Sequence, residues 1–268
     1  MSEREASAMK TTVEWFGVNA LRFTHEGRTV LVDPYVTRDP DATSDPDILA
    51  RHFPAADYIL ISHSHWDHIA DTPALAKITG ATVVGSETTI NVCRAHGIAE
   101  KQLHLIEPGG FFHCPWFSVR FIPSLHACTT DGCVPFTGTY RKPPPLPLTR
   151  ETYLEGGTFA LHLVFGERNI LNIGSANLID EGIRGISCNL LLLSIAGRAN
   201  TPDFLKRVFD CVTPALVAPV HFDNFLVPFE EGLQPQSHGH PDDFAAEMAA
   251  DYPHIPTCIP DFFERFEL

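Results

Sequence analysis

Short apolar blocks of strand length alternate along this chain with turn residues and with a few segments of helical period. TVEWF, NALRFTHEG and RTVLVDPY read as three strands joined by tight turns, with Gly27 in the second turn and Asp33-Pro34 ending the third strand. DYILIS is a further apolar run of strand length, and DTPALAKITG has helix-start chemistry, with Asp71 or Thr72 as N-cap and Pro73 at the first helical position. ATVVGS predicts a strand, ETTINVCRAHG a helix closed by Gly97, and WFSVRFIPSLHA a long strand running out at His126. GTFALHLVFGERNILNIGS predicts a hairpin turning at Gly166-Glu167-Arg168, and is followed by the strand NLLLLSI, the helix TPDFLKRVFDCV and the strand ALVAPVH. A meander followed by strand–helix units predicts sheets with helices outside them. Between Thr139 and Gly157 runs a long loop whose proline cluster forbids regular structure, placed by expectation on the rim over the chemistry.

That chemistry is concentrated in ILISHSHWDHIADTP, where His63, His65, Asp67 and His68 sit in the strand-to-helix loop. Protonated histidines crowded this closely would repel one another, and a metal ion removes the conflict. In an extended segment residues at i and i+2 share a face, so His63 and His65 can hold one ion while Asp67 and His68, at the turn, face a neighbouring one. His126 and His221 also fall just after predicted strands, and Ser175 lies at the end of another. Loops at one edge of a sheet converge there, and imidazole with carboxylate is a ligand set that suits zinc, iron or manganese. His238 and His240, in QSHGHPDD, read as solvated loop residues.

Composition narrows the partners. A chain of 268 residues with 44% hydrophobic content can bury a full core, and it is expected to form one domain over 1–268, with 1–11 as a flexible tail. A formal charge of −14 disfavours binding to nucleic acid or to anionic membrane surfaces, which leaves a small-molecule substrate. The start MSEREASAMK has no apolar h-region, and an odd seven cysteines without a C-x-x-C pair argue against a disulfide framework; both predict a cytoplasmic protein.

The H-x-H-x-D-H signature formed by His63, His65, Asp67 and His68 resembles that of the metallo-β-lactamase superfamily. The supporting order is similar too: WFGVNALRF with an early VDPY, the isolated His126, Gly174-Ser175, and a late Pro219-x-His221. VDPY and APVHFDNF make the branch that includes ascorbate-phosphate lactonase the most similar. The resemblance implies an α/β fold, a four-layer αβ/βα sandwich, with two zinc ions at one edge, manganese or iron being alternatives. Carried over, it implies that His63, His65 and His126 hold the first ion and Asp67, His68 and His221 the second. Ser175 departs from the pattern, standing where most members of the superfamily have an Asp shared by both ions. The implied activity is a metal-dependent hydrolase using a metal-bound hydroxide on a small ester, lactone, amide or phosphodiester, with Asp67 as the catalytic residue. An iron-dependent redox enzyme on the same scaffold and a non-catalytic metal-binding protein are the alternatives.

Overall fold

The computed structural model describes residues 10–237 and 239–268, so the expected tail up to residue 9, and His238, lie outside it. The first strand already begins at Thr11, whose side chain is buried, one residue inside the expected tail. The strands run in chain order as β1 (Thr11–Trp15), β2 (Leu21–His25), β3 (Arg28–Val32), β4 (Tyr58–Leu60), β5 (Thr82–Gly85), β6 (Leu103–Leu105), β7 (Phe111–Cys114) and β8 (Phe117–Pro123). They continue as β9 (Phe159–Phe165), β10 (Arg168–Ile173), β11 (Ile186–Cys188), β12 (Leu190–Ser194), β13 (Val212–Pro214), β14 (Val217–Val220) and β15 (Arg265–Glu267). One sheet has the order β15-β1-β2-β3-β4-β5-β6, and the other β14-β12-β10-β9-β8-β7. In the first, β3 through β6 pair in parallel; in the second, β10, β12 and β14 do. β11 and β13 form a small separate pair.

Period-two alternation decides which face each side chain joins. Val30, Val32 and Leu60 point inward with Val119, Phe121, Leu161 and Leu163 of the second sheet, forming the core between the sheets. Leu31, Ile59 and Ile61 point the other way, into a second core covered by helices. Those helices are α1 (Pro46–His52), α2 (Trp66–Ile69), α3 (Thr72–Thr79) and α4 (Glu87–Ala95). On the far side lie α5 (Asp180–Ile183), α6 (Phe204–Cys211) and α7 (Pro241–Asp251), with Phe204, Val208, Phe244 and Met248 buried on the second sheet. Helix, sheet, sheet, helix is the expected four-layer sandwich. No helix among the described residues is long and apolar enough to cross a membrane.

The β2–β3 turn carries positive φ at both Glu26 and Gly27 (51° and 76°), the type I′ geometry that matches strand twist. Helix α1 falls in a stretch that reads as loop, because seven residues are too few to display a period. Its signal is local: the Asp45 carboxylate accepts from Asp47 N and Ile48 N, and Pro46 occupies the first turn. Asp71 precedes α3 as expected but makes no side-chain cap. It accepts instead from Val36 N and Thr37 N, each at 2.8 Å, and so pins the segment after β3. The proline run also departs from expectation. Leu146, Pro147 and Leu148 pack with Tyr153 beside Pro73 and Ala74 of α3, because Leu148 and Tyr153 belong to the helix-covered core; Pro135 and Phe136 form the rim instead.

Candidate metal centre

The ends of strands from both sheets meet at one edge, as in open parallel sheets generally. Asp33 follows β3, His63 follows β4, His126 follows β8, Ser175 follows β10 and His221 follows β14. Asp67 and His68 lie on the single turn α2, within the segment read as loop. His221 and Asp33 both have left-handed backbone, φ 59° and 41°, a strain of order 1 kcal/mol or more each that tertiary contacts must hold; His221 N donates to Val18 O at 2.8 Å.

His63, His65 and His126 point ring atoms at a common centre, all within 4.8 Å of one another. The hydrogen-bond network assigns their protons. Nε2 of His65 donates to Pro135 O at 3.0 Å, and Nδ1 of His126 donates to Ala127 O at 2.7 Å. The facing atoms, His65 Nδ1 and His126 Nε2, lie 3.1 Å apart and therefore both present lone pairs. For His63 the assignment passes through Ser62, whose hydroxyl proton goes to Asp33 Oδ2. Ser62 Oγ then accepts from His63 Nδ1 at 3.2 Å, which leaves His63 Nε2 as a lone pair, buried and without a partner. Three lone pairs converging in a buried site are unfavourable alone and match the donor set of a transition-metal ion.

Asp67, His68 and His221 form a second such group. His68 Nδ1 donates to Asp33 Oδ2 at 2.7 Å, so its Nε2 faces Asp67 Oδ2, 3.8 Å away. His221 Nε2 lies 3.4 Å from the same oxygen. Asp33 thus orients His68 directly and His63 through Ser62, the carboxylate–histidine arrangement that fixes metal ligands. Asp33 is itself held by Asn19 Nδ2 at 2.7 Å, and Asn19 exchanges two hydrogen bonds with Asn172. A Cβ on Gly174 would stand 2.6 Å from Asn19 Nδ2, which explains the glycine before Ser175.

Burial pulls the His63 imidazole well below its usual range, reinforced by His68 and His126; it also lowers His65, and it holds His126 at about 3. Burial works against the charges of the second group but is outweighed there. His68 and His221 keep Asp67 below the usual carboxylate range, and Asp67 with Asp33 raises His68. The first group is therefore built from neutral imidazoles, and the second around an ionised carboxylate.

Over both groups lies a cavity of about 240 Å³. Ser175 is on its wall, but its Oγ accepts from Ala127 N at 3.0 Å, bracing the loop that carries His126. The structure thus brings together His63, His65, Asp67, His68, His126 and His221, with Ser175 beside them. His240 is exposed outside both groups. Sequence reading treats Asp33 as a strand terminator and passes over Asn19 and Asn172. The available signal for Asp33 is a carboxylate at the end of an apolar strand, where an unpartnered charge would be costly. Arg38 and Asp223 were also missed: they pair at 2.9 Å, both buried, beside the loop that follows His221.

Comparison with known proteins agrees with this geometry. A beta-lactamase superfamily domain profile matches residues 28–142. The chain is 33% identical over 127 residues to a UPF0173 metal-dependent hydrolase of Carboxydothermus hydrogenoformans, covering 47% of this chain and 53% of that protein. It is 26% identical over 219 residues to one of Shouchella clausii, covering 80% and 86%. The chain spans about half the length of the curated relatives it matches at 33–34% identity. Igni18, a metallo hydrolase of Ignicoccus hospitalis, has a TM-score of 0.64 at 17% identity over 97% of this chain and 98% of that one, a likeness of fold.

Proposed function

Because the chain belongs to the metallo-β-lactamase superfamily, we propose that it is a metal-dependent hydrolase of small ester, lactone, amide or phosphodiester substrates. The observation that carries the proposal is the set of three converging lone pairs on His63 Nε2, His65 Nδ1 and His126 Nε2, which the hydrogen bonds behind them leave no other use. In this reading the three histidines hold one ion, and Asp67, His68 and His221 hold a second. Imidazole with a single carboxylate suits zinc, with manganese or iron as substitutes. Divalent ions bound at these atoms supply Lewis acidity and bring the pKa of water towards 7.

The chain's own residues do the rest. Asp67 is the one carboxylate on the cavity wall among the described residues, and it is held ionised, so it is the group proposed to orient the attacking water and accept its proton. Ser175, neutral and committed to Ala127 N, supplies no charge to be shared between the groups. Seven unpaired cysteines, four of them buried, support a reducing, cytoplasmic setting.

The test is metal analysis of the purified protein followed by a screen of generic esters, lactones, amides and phosphodiesters. Expected are bound transition metal and at least one activity that chelator removes and metal restores. A metal-loaded protein that turns over none of them, or a hit indifferent to chelator and to Asp67→Asn, overturns the proposal.

A further inference from the structure

Resting on the reading of Asp67, His68 and His221 as metal ligands, and not on hydrolysis, we infer that Arg38 and Asp223 form one clamp. It sets the position of His221 in the second ligand group and of Phe225 on the cavity wall. Neither Arg38 nor Asp223 lines the cavity, so both are positioning residues.

His221 leaves β14 in left-handed backbone (φ 59°), and Arg38 has left-handed backbone as well (φ 58°). Residues other than glycine persist there when the surrounding contacts over-determine the chain. Asp223 Oδ1 accepts from Val18 N at 2.7 Å and His221 N donates to Val18 O at 2.8 Å, so residues 221–223 grip both polar groups of Val18. Arg38 takes hold one residue further on. Its Nη2 donates to Asn224 O at 2.6 Å and its Nε to Val227 O, closing a turn in which Val227 N also bonds Asn224 O at 3.1 Å. Phe225 lies inside that turn, its ring 5.5 Å from Trp66 and 5.7 Å from His221.

Gln234 and Gln236 hold the other side of the loop. Asn224 N donates to Gln234 O, Gln236 N to Phe222 O, and Gln236 Nε2 to His221 O at 3.0 Å. Among the described residues, Arg38 is the one side chain bonded to the carbonyls of Asn224 and Val227.

Charge closes the clamp. Arg38 Nη1 stands 2.9 Å from Asp223 Oδ2, an ionic contact without hydrogen-bond alignment, and both side chains are buried. Such a pair adds little stability, because its attraction must repay the desolvation of both ions. What it supplies is position. The rigid guanidinium fork is fixed by two carbonyls and a carboxylate, and it lies over the rings of Phe229 and Phe262 at 4.7 and 5.1 Å. The main chain also passes close by, since a Cβ on Gly17 would stand 2.6 Å from Arg38 Nη1 and 2.7 Å from Asp223 Oδ2.

At its other end the segment carrying Arg38 is tied through Val36 N and Thr37 N to Asp71, directly before α3 and in the same stretch of chain as Asp67 and His68. The clamp therefore joins the loop of His221 to the segment that bears the other two members of its group.

The experiment replaces the pair by uncharged residues of similar size, Arg38→Met with Asp223→Asn. The asparagine keeps an acceptor for Val18 N, no buried charge is stranded, and net charge is unchanged, so the melting temperature should stay near that of wild type. Zinc affinities are read by competition with a chromophoric chelator, and the site lost in His221→Ala identifies the second group. Expected in the double variant is a loss of about tenfold or more at that site, with the other within about twofold of wild type. Equal loss at both sites, which a general loosening would give, or no loss at either, overturns the inference. Arg38→Lys covers the case in which the double variant does not fold. Its ammonium keeps a charge for Asp223 but cannot span Asn224 O and Val227 O, so the same selective loss is expected, and two wild-type affinities overturn the inference.

A metal-free measurement reads the wall itself. Acrylamide quenching of Trp66, isolated in each background by difference from Trp66→Phe, should rise several-fold as Phe225 leaves its ring. If wild type takes up only one zinc ion, the reading of Asp67, His68 and His221 as ligands falls and quenching decides: a rise upholds the clamp on Phe225, and unchanged quenching overturns it.

Discussion

The two candidate ligand groups at the sheet edge are made by opposite electrostatic means. His63, His65 and His126 are neutral rings whose remaining nitrogens are tied to Ser62 Oγ, Pro135 O and Ala127 O. Asp67, His68 and His221 surround a buried charge, with a second carboxylate, Asp33, behind His68. The neutral imidazoles bury no net charge before a cation arrives, and what opposes their empty state is the crowding of unpartnered lone pairs, whereas the carboxylate group is stable before metal arrives only through its histidine partners. Asp33 is the physical link between the two, since it reaches His63 by way of Ser62 and His68 directly.

Breaking the neutral group should have the largest effect. His63→Ala with His65→Ala removes two of three inward lone pairs; metal content by elemental analysis should fall to at most the occupancy of the second group, and hydrolysis to background. Full occupancy in that double variant would reject the assignment. Asp33→Asn comes next. The amide has one acceptor oxygen where the carboxylate has two, so it cannot accept from Ser62 N at one end and from Asn19, Ser62 Oγ and His68 at the other, and it carries no charge; metal affinity should drop by roughly 10–100-fold. Competition with a chromophoric chelator would read the loss at both sites, and a loss confined to one would refute the linking role.

Ser175→Asp sharpens the contrast instead of breaking it. A carboxylate at this place on the cavity wall adds a charged ligand beside the two groups and should tighten the weaker site by about tenfold, or ~1.4 kcal/mol. Unchanged titrations for both ions would show that the side chain serves only to hold Ala127 N.

The smallest effect is on the stability of metal-free protein against pH. His63, His65 and His126 are depressed in the folded state, so between the unfolded value of about 6.5 and the lower folded ones, about 3 for His126, the unfolded chain binds more protons. Stability there must fall as pH falls. His68 is raised, so the stability it contributes is complete below about 6.5 and is lost as pH rises through its folded value. Denaturant titrations from pH 4 to 8 should show both limbs, with His126→Gln flattening the acid one and His68→Gln the neutral-to-alkaline one. An acid limb unaltered by His126→Gln would mean that the ring is not buried neutral.

Much of this centre could be read in the chain because it depends on local spacing. Alternation in RTVLV forced a strand with one face in each core, and His-x-His-x-Asp-His after DYILIS placed two groups on opposite sides of one turn, since an extended backbone has period two and a helical turn does not. His126 and His221 were legible as strand-end histidines for the same reason. What only the tertiary structure decided are relations across long stretches of chain: Asp33 against Ser62 and His68, Asn19 against Asn172, and Arg38 against Asp223. None leaves a periodic trace, because each is a pair of buried polar groups whose desolvation is repaid only when distant strands bring their partners within hydrogen-bond reach. The proline run shows the same limit: its composition excluded helix and strand, but whether it covered the metal edge or α3 depended on where Leu148 and Tyr153 found apolar surface to bury.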